Sequence, residues 1–385
     1  MTTKSVSRGR LAGLDTLRAL AIVVVMVFHL QGYLPAGFAP VGRFGWMGVD
    51  LFFVLSGYLI GSQLLKPVRD GRGVSLLGFY RKRAYRILPV YLVVLALYVF
   101  WPLWREAPGM SPVWQFLTFT ENFFVDYWNN QAFSHVWSLC VEEHFYLLLP
   151  MIVLVMARRP AVWKTVAALT FFVALGLGIR SYEYFHVLLP MGRGSEYFST
   201  RYIERIYYPT YARLDGLLAG VALALVRIFR PEWWSAVLRR ANLLLVAGVA
   251  LLGCTLWIFA DRLGAVGTVI GFPLMAVALA MLVAAAAETR CWFGRMRVLG
   301  AKMVATLAFS LYLTHKEVAH LDALWLPRVM DAHGWESVGV LVVSCLAVAA
   351  VLYFTVERPF LMMRDRREGR RAANVDVEVR VEPAL

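Results

Sequence analysis

Long apolar runs separated by short polar segments dominate the 385-residue chain. The runs are about 17 to 25 residues long, which at 1.5 Å per helical residue is enough to cross a hydrocarbon core of about 30 Å. The pattern therefore predicts an all-α, polytopic integral membrane protein with about ten transmembrane helices. The predicted spans are 13–33, 46–65, 87–104, 142–157, 161–180, 212–229, 241–260, 264–287, 300–320 and 337–357.

The composition supports a membrane protein and argues against two other classes. With 60% hydrophobic residues, 17% charged residues and a mean hydropathy of +0.62, the chain is too apolar for a soluble domain. The net charge of +14 is spread between the apolar runs instead of gathering on one solvated face, so we expect no nucleic-acid partner. The four cysteines have no CxxC or paired spacing, so neither a disulfide framework nor a zinc site is indicated.

The distribution of Lys and Arg predicts the orientation in the membrane. One set of alternate loops, together with both termini, holds 28 of the 39 basic residues, and the opposite set holds 10. Because cytoplasmic loops carry the excess of Lys and Arg, we expect both termini to be cytoplasmic and the loops 105–140 and 181–211 to face outward. Residues 1–360 are then expected to form one transmembrane domain, and the charged tail 361–385 to be disordered in the cytoplasm.

The first predicted span carries a stripe of polar residues. Arg18 and His29 are eleven residues apart, so their side chains project within roughly 20° of each other, and Asp15 lies on the same face. A mid-membrane arginine costs roughly 2.5–3.5 kcal/mol on insertion scales, so the stripe needs compensating partners. It is either a functional interior, with Arg18 toward the cytoplasm and His29 about 16 Å further outward, or an Asp15–Arg18 ion pair beside a packed histidine. The shared face favours the functional interpretation.

A second feature is the RxxR pair in "FYRKRAYRILPVY", at the predicted cytoplasmic entrance of the third span. Arg83 and Arg86 are three residues apart and therefore share a helix face, where they could bind a phosphate-bearing ligand through forked hydrogen bonds. The same basic run is also an ordinary signal of membrane orientation. The spacing alone does not decide between these interpretations.

Two adjacent carboxylates occur in "HVWSLCVEEHFYLLLP", at the predicted outer entrance of the fourth span. Neighbouring side chains point in different directions on a helix, so at most one of Glu142 and Glu143 is expected to face the interior. Such a glutamate could act in proton transfer or bind a polar acceptor. The alternative is a helix-start charge that the helix dipole favours.

Further polar groups lie at the predicted outer ends of other spans. Asp50, in "GWMGVDLFFVLSGYLIG", is placed at a depth comparable to that of His29 and could orient its imidazole, although an aspartate near a helix start is often only a cap. Arg213 and Asp215 in "YARLDGLLAG" and His315 in "SLYLTHKEV" are weaker candidates.

Taken together, these stretches resemble acyltransferase family 3, a family of membrane-bound acyltransferases. The likeness extends over most of the chain, from about residue 13 to residue 359, and the order and spacing of the motifs make it specific. The segments "GVDLFFVLSGYLI", "RLDGLLAG", "SLYLTH" and "VERP" are similar to signature segments of the family. Its basic–histidine, RxxR and SLxxE motifs are matched by Arg18 and His29, by Arg83 and Arg86, and by Ser138, Leu139 and Glu142.

The resemblance implies transfer of an acyl group, usually acetyl, from acyl-CoA to a hydroxyl of a carbohydrate or glycosylated acceptor such as O-antigen or exopolysaccharide. It implies acetyl-CoA or another acyl-CoA as co-substrate, no metal, and a place in the bacterial cytoplasmic (inner) membrane. Many family members carry a fused extracytoplasmic hydrolase-like domain, which we do not expect in this chain. A macrolide or other small glycoside is the alternative acceptor. A transporter of an envelope precursor is the alternative class.

A mechanism follows as a hypothesis from the resemblance and the predicted orientation. The CoA phosphates would bind Arg18, Arg83 and Arg86, while His29 would act as general base or, as the alternative, carry the acyl group itself. Asp50 would set the tautomer of the imidazole. Glu142, Arg213 and His315 would contact the acceptor.

Overall fold

A computed structural model describes residues 11–158 and 161–367 of the chain. These residues are mostly helical, and their β-structure is limited to one isolated bridge between Met110 and Ala132. Within these described ranges, ten helices of 15 residues or more form the bundle. They are α1 (Ala12–His29), α2 (Met47–Arg69), α3 (Leu76–Phe100), α4 (Trp137–Arg158), α5 (Val162–Tyr182), α6 (Asp215–Phe229), α7 (Ala241–Ile258), α8 (Phe272–Ala286), α9 (Ala301–Trp325) and α10 (Trp335–Leu352).

Each of the ten predicted spans overlaps one of these helices, so the predicted all-α polytopic architecture is confirmed. Among the described residues, eight helices are long and apolar enough to cross a membrane. The other two are α6, with 15 residues, and α9, which has 25 residues but carries Lys302, Lys316, Glu317 and Asp322. All residues from Ser310 to His315 of α9 are buried. The polar groups of this part of α9 therefore face protein and not lipid.

Two helices begin earlier than the apolar runs predict. α3 begins at Leu76 and not near residue 87, and α4 begins at Trp137 and not near residue 142. Arg83 and Arg86 of α3 and Glu142 of α4 line an internal cavity, so they interrupt the apolar run without ending the helix. As a result Arg83 lies seven residues into α3, about 10 Å from its start, instead of at the entrance of the span.

The last helix also extends beyond its predicted end. α10 continues through a π-helical turn at Tyr353–Glu357 and then as α-helix to Arg367. The expected boundary at residue 360 therefore falls inside a continuous helix, and residues 361–367 are helical where we expect a disordered tail. The remainder of that tail, residues 368–385, lies outside the described residues, as do residues 1–10.

Short helical turns connect the long helices. The short α-helices are Ala39–Phe44, Val113–Leu117, Phe198–Tyr202, Pro231–Leu238, Trp292–Arg295 and Pro327–Met330. The 3-10 turns are Gln31–Tyr33, Ala36–Phe38, Pro102–Trp104, Glu121–Phe123, Ser134–Val136, Leu189–Met191 and Thr210–Ala212. Besides the turn in α10, π-helical turns occur at Glu183–Leu188, Ile203–Tyr207 and Gly267–Gly271.

Glycines allow α2 and α6 to pack in close contact. A Cβ atom at Gly57 of α2 would lie 2.1 Å from the backbone oxygen of Leu217, and one at Gly220 of α6 would lie 2.3 Å from that of Val54. Any larger residue at these positions would push the two helices apart. The close crossing also brings the start of α6 to the start of α2, where a buried ion pair forms.

Glu121 is a buried carboxyl group in the connection between α3 and α4. The residue is 1% exposed, and its Oε2 atom makes no hydrogen bond of standard geometry with any described residue. Burial disfavours the charged form and raises the pKa of Glu121 from 4.5 to about 8. The folded protein therefore holds this carboxyl group protonated at neutral pH.

The raised pKa of Glu121 predicts that stability decreases as the pH increases. The unfolded chain loses this proton near pH 4.5 and the folded chain near pH 8. Between these values the unfolded state binds fewer protons than the folded state, so rising pH stabilises the unfolded state relative to the folded state. The contribution of Glu121 to the free energy of unfolding should decline through this window and become constant above it. Unfolding measured by tryptophan fluorescence at pH 5 and pH 8 should show a smaller decline in Glu121→Gln than in the wild type. Equal declines would contradict the prediction.

Candidate functional site

A cavity of about 660 Å³ lies among α1, α2, α3, α4, α9 and the continuation of α10. Residues that are far apart in the sequence meet on its wall. Because charged side chains in the membrane are stable only when they face protein or a polar cavity, this cavity explains how the bundle holds them. Its charged lining residues are Asp15, Arg18, Arg83, Arg86, Glu142 and Arg364.

The two arginines of the RxxR pair have different partners. Arg86 donates a hydrogen bond to Oε1 of Glu357, whose Oε2 accepts from Ser310 at 3.0 Å. Nε of Arg83 is buried and makes no hydrogen bond of standard geometry with any described residue, and its guanidinium lies 5.8 Å from the ring centre of Tyr146. Arg83 therefore retains a donor for an anionic ligand in the cavity, whereas Arg86 is already held by a carboxylate.

Glu142 lies on the cavity wall and not at the outer entrance of its helix. Its Oε2 accepts a hydrogen bond from the hydroxyl of Tyr146 at 2.9 Å, and that hydroxyl also contacts Oγ of Ser56. The early start of α4 explains this position, because five residues of the helix precede Glu142. As predicted for neighbours on a helix, Glu143 does not share the cavity wall with Glu142.

Tyr312 separates the cavity from a cluster of three histidines, of which His135 and His315 are buried and His29 is half-buried. Its hydroxyl lies 2.6 Å from Oγ of Ser138 and donates to the backbone oxygen of His135. The centre of its ring lies 6.1 Å from that of His315 and 5.5 Å from that of His135. The cavity wall is therefore one side chain away from the histidines.

His29 and His315 form a directly bonded pair. Nδ1 of His29 lies 2.8 Å from Nε2 of His315, and Nδ1 of His315 lies 2.9 Å from the backbone oxygen of Leu311. Because a carbonyl oxygen only accepts, Nδ1 of His315 carries the proton, and Nε2 of the neutral ring is an acceptor. His29 then donates from Nδ1, which leaves the lone pair on its Nε2. This is a tautomer that can act as a general base.

Asp50 is not the partner of His29. Its two carboxylate oxygens accept from Nη2 of Arg213 at 2.8 and 3.0 Å, and both side chains are buried. Neither residue lines the cavity. The expectation that Asp50 sets the tautomer of His29 therefore does not fit the structure, and Arg213 is the ion-pair partner of Asp50. A buried carboxylate needs an opposite charge, and the close crossing of α2 and α6 supplies Arg213.

A second buried ion pair, between Arg180 and Asp215, connects α5 to α6. Nη1 of Arg180 lies 2.6 Å from Oδ2 of Asp215 and 2.6 Å from the backbone oxygen of Ala212. Arg180 is fully buried, and Asp215 is 8% exposed. We therefore interpret Asp215, like Asp50, as a structural residue.

His135 is a third histidine at the site, and the sequence pattern does not single it out. Its ring centre lies 5.5 Å from that of His315 and 6.2 Å from that of His29. It precedes the apolar run that marks the fourth span and therefore falls in a predicted outer loop. The available signal is its position three residues before the SLxxE motif.

His135 and two nearby glutamates are residue types that commonly bind metal ions. The ligand atoms of Glu106, His135 and Glu317 lie within 4.8 Å of one another. Glu106, however, accepts hydrogen bonds from Lys316 and from the hydroxyl of Tyr98, each at 2.7 Å and each on a different oxygen. That leaves His135 and Glu317 as available ligands, whereas catalytic zinc sites use three protein ligands.

The fold and the site define an integral membrane protein in which a basic cavity lies one side chain away from a bonded histidine pair. The family model described as "Acyltransferase domain" matches residues 11–355. The chain therefore belongs to this acyltransferase family, and the resemblance inferred from its motifs is confirmed.

The relatives of this chain include three bacterial proteins. It is 27% identical to O-acetyltransferase OatA of Staphylococcus aureus over 323 residues, which cover 79% of this chain and 50% of the relative. It is 27% identical to the putative peptidoglycan O-acetyltransferase YrhL of Bacillus subtilis over 382 residues, 93% of this chain and 56% of the relative. It is 29% identical to peptidoglycan O-acetyltransferase OatA of Listeria monocytogenes over 237 residues, 58% of this chain and 35% of the relative.

The chain thus spans between about a third and just over half of the length of these relatives. No solved structure matches it.

Proposed function

We propose that the protein transfers an acyl group, most simply acetyl, from acyl-CoA to a hydroxyl of a carbohydrate acceptor. The observation that carries this proposal is the spatial order of three features in the helix bundle. An arginine-lined cavity comes first, Tyr312 forms its wall, and the bonded pair of His29 and His315 lies behind Tyr312. Arginines suit the phosphates of CoA, and a neutral imidazole with an available lone pair suits removal of a hydroxyl proton. The relatives named as peptidoglycan O-acetyltransferases support a carbohydrate acceptor.

The donor binds with its phosphates near the arginines. Arg83 contributes an N–H group without a protein partner among the described residues, and Arg18 and Arg86 add positive charge to the same cavity. The pantetheine arm then carries the thioester past Tyr312. Because Glu142 faces this cavity, it positions the donor and not the acceptor. The excess of Lys and Arg in alternate loops supports cytoplasmic termini and access of the donor from the cytoplasm.

The reaction uses His29 as general base. Nε2 of His29 removes the proton of the acceptor hydroxyl while the hydroxyl oxygen attacks the thioester carbonyl carbon. The new C–O bond forms, the C–S bond breaks, and the CoA thiolate takes the proton from His29. Nε2 of His315 accepts the hydrogen bond from Nδ1 of His29 and so stabilises the imidazolium while it exists.

The bacterial cytoplasmic membrane is the location that fits this proposal. The chain is an integral membrane protein by its helices, and the relatives described above are bacterial. Acyl-CoA is made in the cytoplasm, and the envelope carbohydrates lie on the other side of this membrane. A protein that crosses it can contact both substrates.

Arg83→Ala is expected to weaken donor binding without removing the catalytic base. Loss of a hydrogen bond to a charged group costs about 1.5–3 kcal/mol, so the KM for acetyl-CoA should rise by roughly 10- to 100-fold. The kcat at saturating acetyl-CoA should change by less than about threefold, because Arg83 binds a part of the donor that does not react. Steady-state kinetics of the purified chain, with acetyl-CoA as the varied substrate, measure both constants.

Arg69→Ala is the matched control. Arg69 is an exposed arginine at the end of α2 that pairs with Asp70, and it does not line the cavity. We expect its KM for acetyl-CoA to equal that of the wild type. An unchanged KM in Arg83→Ala, or a loss confined to kcat, would contradict the assignment of Arg83 to the donor.

A further inference from the structure

Two buried polar side chains beside the His29–His315 pair have no role in the reaction described above. His135 is 2% exposed and Glu317 is 0% exposed. Neither ring nitrogen of His135 and neither carboxylate oxygen of Glu317 makes a hydrogen bond of standard geometry with any described residue. Each buried polar group without a partner costs about 1–3 kcal/mol, so such groups are rare. Four such atoms on two neighbouring side chains indicate a binding site for a polar ligand.

The backbone around His135 is held in place from several sides. Phe133 has a φ of +60°, a left-handed conformation that costs a residue other than glycine of order 1–3 kcal/mol. Its N–H donates to Oε1 of Glu106 at 3.2 Å, and the hydroxyl of Tyr312 donates to the backbone oxygen of His135. Strained backbone that its surroundings hold in this way is typical of functional sites.

The distance between the two side chains suits a ligand that bonds to both. Nε2 of His135 lies 3.9 Å from Oε1 of Glu317, which is too far for a direct hydrogen bond. A hydroxyl group both donates and accepts, so one hydroxyl can donate to the carboxylate while its oxygen accepts from the imidazole. The ring of His29 is near enough, at 6.2 Å between ring centres, for a neighbouring hydroxyl of the same ligand to reach it.

A metal ion is the other ligand that a histidine and a glutamate could bind. The third candidate ligand is Glu106, and Nζ of Lys316 lies 2.7 Å from its Oε1. An ammonium group at this distance already balances the charge of Glu106 and repels a second cation. The contacts therefore favour a ligand with hydroxyl groups over a metal ion.

We propose that His135 and Glu317 are the acceptor-binding residues of the active site, and that they bind one hydroxyl of the carbohydrate while a neighbouring hydroxyl meets Nε2 of His29. The substrate class is an acceptor with two adjacent hydroxyl groups, such as those at C3 and C4 of the non-reducing end of an N-acetylglucosamine oligomer. This inference rests on the proposed function and assigns the acceptor side of the same site. The donor and acceptor then approach His29 from opposite sides of Tyr312.

Acceptor kinetics of the purified full chain test this assignment. Radiolabelled acetyl-CoA is kept at saturation, the β-1,4-linked tetramer of N-acetylglucosamine is varied, and the acetyl ester that forms is counted. His135→Ala and Glu317→Gln should each lower kcat/KM for the tetramer by about tenfold or more, since each removes a hydrogen bond to a buried partner. Their KM for acetyl-CoA should stay within about twofold of the wild type, because neither residue lines the donor cavity.

His144→Ala is the matched control. His144 follows His135 by nine residues, and its Nδ1 bonds to Thr210 at 2.7 Å, away from the histidine cluster. We expect it to retain the acceptor kinetics of the wild type. Glu317→Gln preserves the shape of the side chain, so it keeps the test valid if His135→Ala does not fold.

Four outcomes would overturn the assignment or its basis. Wild-type values of kcat/KM for the tetramer in both variants would show that these residues do not bind the acceptor. A rise in the KM for acetyl-CoA as large as the loss of kcat/KM for the tetramer would place them on the donor side. One equivalent of zinc or manganese in the purified wild type, absent from His135→Ala, would assign them to a metal. If the wild-type chain releases no CoA with this or any other hydroxyl acceptor tested, the proposed function itself is contradicted.

Discussion

His29→Ala is expected to lower the rate of acetyl transfer by about 10²- to 10⁴-fold, the usual contribution of a general base. Alanine cannot take the proton of the acceptor hydroxyl. His315 cannot replace the lost base from its present position, because its Nδ1 is bonded to the backbone oxygen of Leu311 and its Nε2 points toward the missing ring. Since His29 does not line the cavity, the Kd for acetyl-CoA should stay within about twofold of the wild type.

Two further variants show whether this loss is specific. His186→Ala removes an exposed histidine from the turn Glu183–Leu188 and should transfer acetyl at the wild-type rate. His315→Ala removes the acceptor for Nδ1 of His29 and should lower the rate, though less than His29→Ala does. Single-turnover transfer and equilibrium binding of labelled acetyl-CoA separate the chemical step from donor binding. A near wild-type rate in His29→Ala would show that another group is the base.

Asp50→Ala is expected to destabilise the protein by about 3–5 kcal/mol, because it leaves the guanidinium of Arg213 buried without its carboxylate. The side chains of Asp50 and Arg213 are only 9% and 1% exposed, so water cannot replace the lost partner. The pair also joins α2 to the segment before α6, beside the glycine-lined crossing of these helices. The free energy of unfolding can be measured by reversible titration with a denaturing detergent.

The double variant Asp50→Leu, Arg213→Met is the control for this prediction. Replacing both members of a buried ion pair by apolar residues of similar size is often neutral, so most of the stability should return. An Asp50→Ala protein that keeps wild-type stability but loses transfer activity would contradict the structural role. It would instead favour the orienting role that the sequence suggests for Asp50.

Helix positions were predictable where each helix has a continuous apolar run. This holds for α1, α2, α7 and α8, whose lengths follow from the thickness of the membrane. The early starts of α3 and α4 were not predictable, because Arg83 and Glu142 face a cavity that only the assembled bundle creates. A hydropathy pattern predicts a loop at such charged residues, although the helix continues through them.

The sequence predicted several residues of the candidate site but not which of them contact each other. Helical spacing placed Arg18 and His29 on one face and Arg83 and Arg86 on another, and family resemblance matched both pairs to one reaction. The bond between His29 and His315 joins residues 286 positions apart and depends on the packing of α1 against α9. Asp50 was assigned to His29 by depth alone, whereas the glycine contacts between α2 and α6 bring Arg213 to it.

His135 shows a different limit of the sequence. It lies before the apolar run of the fourth span, so periodicity gives it no helix face. Its position depends on the left-handed Phe133 and on the hydroxyl of Tyr312, a residue 177 positions away. Neither feature leaves a local pattern.

The most direct test of the central claim follows the acetyl group itself. The purified wild-type chain receives acetyl-CoA labelled in the acetyl group together with the N-acetylglucosamine tetramer, and free CoA and alkali-labile ester on the tetramer are counted in parallel. A membrane O-acyltransferase predicts one ester for each CoA released, and His29→Ala should lose both products together. Release of CoA without ester on the carbohydrate, or formation of ester at an equal rate by His29→Ala, would contradict the account.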